Sequence, residues 1–147
     1  MNVKLLITGS SGYLGKNLIQ ELVDNDNYCI IGVDKIESKH TNLTINLCAP
    51  YLRSKLFDLV SPSDQLIILN LAAARTDRGL KSAYYTDNIL ATQCFLESIK
   101  DLNIIKFIHI SSVASFDGEK LFIKKLKLDD LNHDDCYRLT KFEQEKI

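Results

Sequence analysis

The sequence predicts an α/β fold built as a three-layer, doubly wound parallel sheet, and three observations carry that expectation. Apolar runs of strand length recur along the chain, separated by segments with helical spacing. The first run, Val3 to Ile7, feeds a helix through the glycines Gly9, Gly12 and Gly15. Asp34 closes the second run about 20 positions after the last of those glycines, the distance at which an acidic side chain can reach a ribose.

Composition sets the bounds. The chain has 147 residues and a formal charge of −1. That is one domain with enough chain to bury a sizeable core. The near-neutral charge offers no footprint for nucleic acid or for an anionic membrane surface. No apolar run is long enough to span a bilayer, and no signal-peptide pattern precedes the first strand. Cys29, Cys48, Cys94 and Cys136 are scattered and form no C-x-x-C pair, which fits reduced thiols in a cytoplasmic protein. Cysteine and histidine spacing offers no zinc ligand pair, so no metal is expected.

In order, Val3 to Ile7 reads as a buried strand, and Leu14, Leu18, Leu22 and Val23 fall at helical spacing behind the glycine turn. Gly9 suits a tight turn, Gly12 the approach of a pyrophosphate, and Gly15 close helix–strand packing. Cys29 to Val33 is the second strand, ending at Asp34. Leu43 to Leu47 is a short third strand. Pro50 opens a helix that runs to about Val60, and Ser61-Pro62-Ser63-Asp64 breaks it. Leu66 to Leu71 is the fourth strand, followed by Ala72, Ala73 and Ala74, whose small side chains suit a close-lying cofactor or simple tight packing. Residues 79–102 form one long helix with Ile89, Thr92, Leu96 and Ile99 on one face, widened by Tyr84, Ala91 and Phe95. Ile104 to Ile110 is the fifth strand. Residues 117–136 are charged and carry few signals. Tyr137 and Lys141 then stand four apart, on one face of a helix.

Several of these segments resemble the extended branch of the short-chain dehydrogenase/reductase superfamily, in its NAD-dependent epimerase/dehydratase family. The spacing after Thr8 is G-x-x-G-x-x-G. NLAAARTD at Asn70 resembles the family's His-Leu-Ala-Ala, with Asn70 in place of His. YYTDNILAT resembles Asn-Val-x-Gly-Thr, SSVASFDG at Ser111 resembles Ser-Ser-x-x-Val-Tyr-Gly, and Tyr137-Arg138-Leu139-Thr140-Lys141 is a Tyr-x-x-x-Lys. The Tyr follows Ser112 at the distance usual in that family.

The resemblance implies a Rossmann-type sheet of about five strands in the order 3-2-1-4-5, and NAD as cofactor. Around the cofactor it places Gly9, Ser11, Gly12, Tyr13, Leu14 and Gly15. Asp34 and Lys35 fall at the adenosine ribose, Asn46 and Leu47 near the adenine, and Leu71, Ala72, Ala73 and Arg75 along the strand end. Asn88, Tyr137 and Lys141 complete the set. Asp34 accepts from ribose hydroxyls and repels the 2′-phosphate of NADP, an exclusion that Lys35 weakens. Arg75 faces cofactor or substrate, or is merely solvated. Asn88 sits on an apolar face and needs a polar partner, so a structural role fits it as well as a catalytic one.

The implied catalytic set is Ser112, Tyr137 and Lys141, with Ser111 as the alternative hydroxyl. A tyrosine of ordinary pKa near ~10 is a poor base at neutral pH. A lysine ammonium one turn away favours the phenolate. Tyr137 would then move the proton of a substrate hydroxyl while Ser112 holds the same oxygen. Val113 and Ala114 occupy the place of a dehydratase's extra acid/base pair, which favours an epimerase or a reductase acting on a nucleotide-linked sugar. The resemblance covers residues 1–147 as the cofactor-binding half only, either part of a longer enzyme or one piece of a split protein. It implies a homodimer through residues 79–102 and 135–147. The rival from another class is a non-catalytic NAD(P)-binding module, or an inactive fragment of such an enzyme.

Overall fold

The computed structural model describes residues 3–75 and 80–147. The chain divides into two compact units, Met1–Ala72 with Cys94–Ile110, and Ala73–Gln93 with Ser111–Ile147. Among the described residues no helix is long and apolar enough to cross a membrane.

The first unit holds the sheet. Its strands are β1 (Val3–Thr8), β2 (Tyr28–Asp34), β3 (Leu43–Thr44), β4 (Leu66–Asn70) and β5 (Ile104–His109). All pair in parallel, in the order β3-β2-β1-β4-β5, as expected from the resemblance. Central β1 is apolar from Leu5 to Ile7 because it is covered on both sides, as parallel strands must be. Leu5 and Ile7 face helix α1 (Tyr13–Leu22), where Ile19, Leu18 and Leu22 meet Ile30, Ile67 and Leu69. Leu6 and Ile68 alternate to the opposite face and are fully buried there, so that face is covered too. The unit also contains α2 (Leu52–Phe57) and the end of α4 (Ala91–Ile99), whose buried residues are Leu52, Leu56, Phe95 and Ile99. Strand β5 is an edge, and its Ile105 and Phe107 are exposed.

Local details differ from expectation. The third strand is shorter than Leu43 to Leu47, because Asn46 turns the chain by accepting the Cys48 N–H at 2.8 Å. The second helix starts at Leu52 and stops at Phe57 rather than running from Pro50 to Val60. Leu14 and Val23 are exposed, and α1 turns Gly15 and Ile19 inward instead.

The second unit is helical. It contains α3 (Ser82–Tyr84), a π-helical segment Tyr85–Leu90, the start of α4, α5 (Ser115–Ile123), a 3₁₀ turn Leu128–Asp130 and α6 (His133–Gln144). The expected helix over 79–102 is therefore present from Ser82 to Ile99 with a π segment inside it, and Gly79 lies outside the described residues. The stretch 117–136, which shows few signals in sequence, folds as most of α5, the 3₁₀ turn and the start of α6. Its order comes from packing: Tyr84, Leu131, Cys136 and Leu139 form one cluster, with Leu121, Leu128 and Tyr137 against it. A Cβ on Gly118 would lie 2.0 Å from the Arg138 carbonyl oxygen, so α5 meets α6 at a point only glycine allows. Asn132 caps α6 by accepting the Asp135 N–H at 2.8 Å.

Candidate functional site

In the sheet unit the glycine turn is shaped as its sequence demands. Gly9 has φ 71°, in the left-handed region. A Cβ on Gly15 would lie 2.2 Å from the Gly9 carbonyl oxygen, so the first turn of α1 lies directly on the glycine turn. Gly12 precedes helix α1 at its N-cap, with no side-chain cap and no acidic residue in the first turn. No acidic side chain of its own first turn competes for its leading N–H groups, which suits an anionic phosphate.

Asp34 ends β2 beside this turn. Its Oδ2 accepts the Ser11 N–H at 2.9 Å and its Oδ1 the Ile36 N–H at 3.0 Å. The carboxylate retains acceptor capacity for hydroxyl donors. Sequence reasoning missed a hydroxyl cluster here. The Ser11 hydroxyl donates to the Ile36 carbonyl at 2.7 Å, and Thr41 Oγ1 lies 2.9 Å from Ser10 Oγ and 2.8 Å from Ser11 Oγ. These bonds pin the β2–β3 loop onto the glycine turn. Lys35 is exposed, Asn46 is exposed and Leu47 is buried. Tyr13 and Leu14 are exposed at the start of α1.

Behind the turn, buried Thr8 donates to Asn70 Oδ1 at 2.6 Å, and its oxygen accepts the N–H groups of Leu71 and Ala72, both at 3.2 Å. Asn70 Nδ2 lies 3.2 Å from His109 Nδ1. The polar residue at the Asn70 position thus ties the ends of β1, β4 and β5 together.

In the helical unit the catalytic candidates stand on α6 and the turn before α5. Ser112 Oγ accepts the Ala114 N–H at 3.2 Å, an arrangement that fixes the hydroxyl locally. Ser112 lines a cavity of about 410 Å³ with Ser111, Val113, Phe116, Glu119 and Glu145. The Ser111 hydroxyl is committed to Glu145. Tyr137 is half-buried, and the Arg75 guanidinium lies 5.3 Å from its ring centre, a cation–π distance. Ala73 is exposed.

Lys141 is 2 % exposed, four residues beyond Tyr137 on the same helix. Burial pushes its ammonium down to about 8, against an opposing pull from Glu145. The Nζ donates to Gln144 Oε1 at 2.5 Å, and Gln144 Nε2 donates to Thr92 Oγ1 at 2.7 Å. Sequence reasoning did not single out Gln144 as a partner. The available signal was a long polar residue three positions from Lys141, on the same helical face.

Asn88 is fully buried in the π segment. Its Oδ1 accepts the Ala74 N–H at 2.6 Å, while its Nδ2 donates to the Ala74 carbonyl at 3.3 Å and to Thr140 Oγ1 at 3.0 Å. Its amide is therefore engaged in fixing the Ala74 backbone and α6.

A five-stranded parallel sheet in this order, with a left-handed glycine turn after β1, an uncapped helix N-terminus and an acid ending β2, is a Rossmann-type fold. The residues present fit a dinucleotide: neutral N–H donors where phosphates need them, and a carboxylate where ribose hydroxyls need an acceptor. The chain belongs to the NAD dependent epimerase/dehydratase family, which it matches over residues 5–147.

It is 30% identical to a dTDP-4-dehydrorhamnose reductase of Aggregatibacter actinomycetemcomitans, over 98% of this chain and 46% of that protein. A GDP-6-deoxy-D-talose 4-dehydrogenase from the same organism is 27% identical over 99% of this chain and 47% of its own length. The chain thus spans about half the length of these curated relatives. Among solved structures, a UDP-glucuronic acid 4-epimerase from Bacillus cereus in complex with NAD superposes with a TM-score of 0.69 at 25% identity, covering 98% of this chain and 50% of that one. A short-chain dehydrogenase/reductase superfamily protein from Agrobacterium tumefaciens with bound NAD gives a TM-score of 0.73 at 19% identity, over 97% of this chain and 43% of that one, a likeness of fold alone.

Proposed function

We propose that this chain is the cofactor-binding half of an NAD-dependent enzyme that epimerises or reduces a nucleotide-linked sugar. The observation that carries the reading is Lys141, buried one helical turn from Tyr137 in a chain that matches the family along its length. The relatives named for dTDP-, GDP- and UDP-sugars support the substrate class.

The α1 N-terminus holds the pyrophosphate, and the Asp34 carboxylate takes the adenosine ribose hydroxyls, which favours NAD over NADP. When bound, NAD supplies the hydride acceptor and donor. Tyr137 takes the proton from a sugar hydroxyl and returns it. Ser112 holds the same oxygen through its own hydroxyl. Lys141 contributes positive charge near Tyr137. Arg75, whose guanidinium lies 5.3 Å from the Tyr137 ring centre, adds a second positive charge beside it. Val113 and Ala114, beside Ser112, offer no second acid or base, so the reading does not extend to dehydration.

Calorimetric titration with NAD⁺ and NADP⁺ tests the cofactor half of the reading: saturable binding with NAD⁺ preferred is expected, and equal affinity for both overturns the Asp34 assignment. Tyr137→Phe tests the chemistry. It should lower kcat by about 10²–10⁴ while leaving NAD⁺ affinity unchanged. Retained turnover removes Tyr137 from the mechanism.

A further inference from the structure

A buried lysine ammonium needs an acceptor inside the fold, since desolvation otherwise drives it to the neutral amine. In this chain one acceptor is a glutamine side chain that is itself 3 % exposed. Gln144 Oε1 lies 2.5 Å from Lys141 Nζ, and the other end of the amide donates to Thr92 Oγ1 at 2.7 Å. Thr92 is 4 % exposed and belongs to the same helical unit. The three side chains form a directional line. The ammonium can only donate, so it takes the amide oxygen, and the amide NH₂ is left to donate to Thr92.

We propose that Gln144 is a positioning residue for Lys141: anchored by Thr92, it clamps the ammonium inside the helical unit and keeps it charged. The proposal rests on the functional reading above only in giving that charge a use.

The electrostatic surroundings make a neutral clamp consequential. On its own helix Lys141 has Tyr137, Arg138 and Glu143 as ionisable neighbours in sequence, and Glu145 follows at the helix end. Glu145 opposes the effect of burial but is also engaged with Ser111. The π segment and the start of α4 present Asn88 and Thr92, both neutral, with Asp87 as the ionisable neighbour of Asn88 in sequence. Helix α5 brings Glu119 to the cavity that Glu145 lines. Burial has already lowered Lys141 to about 8, so its charge is sensitive to one hydrogen bond near neutral pH.

The sign follows from the bond. Gln144→Leu deletes an acceptor for the ammonium, so Lys141 should lose its proton about one unit lower in pH. Gln144→Glu keeps the shape and adds negative charge, so the titration should move up by about one unit or more. A merely structural glutamine would not give opposite shifts. The Lys141 titration is read by NMR of the ¹³Cε-lysine-labelled chain, with Lys141→Met assigning the signal. Opposite shifts for the two variants establish the clamp. Unmoved titrations, or shifts in the same direction, overturn it.

The alkaline limb of turnover, measured on the holoenzyme, separates this from the functional reading. Movement of that limb with the NMR titration supports both. If the NMR titration moves and the limb stays, the clamp stands and the use of Lys141 in turnover falls.

Discussion

The sheet unit and the helical unit bury polar side chains in different ways. In the sheet unit the buried polar residues, Thr8, Ser10 and Asn70, lie at the glycine turn and strand ends, and the centre of the sheet is apolar. In the helical unit Asn88, Thr92, Ser115, Thr140, Lys141 and Gln144 are all buried along the helices. An apolar core gains from area and tolerates small adjustments. A buried polar network gains only when each member is satisfied, so one deletion leaves partners stranded. The candidate proton-moving chemistry stands on the unit that has less tolerance.

The comparison breaks most sharply at the two glycines that bring backbone against backbone. Gly15→Ala places a Cβ 2.2 Å from the Gly9 oxygen, and Gly118→Ala places one 2.0 Å from the Arg138 oxygen. Each should cost about 3 kcal/mol, the upper end of forced overpacking. Hydrogen exchange should show loss of protection in β1 and β4 for the first and in α5 and α6 for the second. Equal loss everywhere for both would mean that the units unfold as one.

A deletion inside the polar network comes next. Asn88→Leu removes the Asn88 partners of the half-buried Ala74 N–H and carbonyl and of Thr140, a cost of about 2–4 kcal/mol. Thermal unfolding checks the loss. A drop of under ~0.5 kcal/mol would show that water replaces the amide.

The pH dependence of stability sharpens the contrast. Lys141 falls from the usual 10.5 to about 8 on folding. The unfolded chain therefore holds the extra proton between those values, and stability should rise with pH across that window by up to ~3 kcal/mol. The gain is lost as pH falls through about 8. Lys141→Met should flatten this part of the denaturant-midpoint profile. A slope that persists in the variant would assign it to another group.

The smallest effect is expected in the sheet unit. Asp34→Ala should weaken NAD⁺ binding about tenfold, the value of one or two charge-assisted hydrogen bonds, with little loss of fold. A large loss of stability would mean that Asp34 serves mainly to hold Ser11 and Ile36, the N–H groups it already accepts.

Much of the sheet unit could be read in advance. Its strands are continuous apolar runs, its turn is marked by glycines, and Asp34 follows at a fixed distance. These are local signals, and a parallel sheet buried on both faces amplifies them. The helical unit was legible mainly through the Tyr137–Lys141 spacing and the segments around Ser112 and Asn88. Helix α5 was missed because Phe116, Phe122 and Ile123 are exposed and its charges interrupt the period, while Gly118 looks like a helix breaker until Arg138 is seen against it. The early stop of α2 after Phe57 and the π turn at Tyr85–Leu90 left no mark in the sequence either.

By itself the sequence determined the strands, their parallel order through the family resemblance, and the residue types able to meet a dinucleotide. Those follow from periodicity and from backbone rules acting over a few residues. Only the tertiary structure decided the partners of the buried polar groups: Asn88 with Ala74 and Thr140, Thr8 with Asn70, Lys141 with Gln144 and Gln144 with Thr92. Most of these join residues distant in the chain, and even the Lys141–Gln144 pair depends on burial that distant segments create. A hydrogen bond needs donor and acceptor within ~3 Å and correctly aimed, and no local pattern in a chain fixes that over 50 positions.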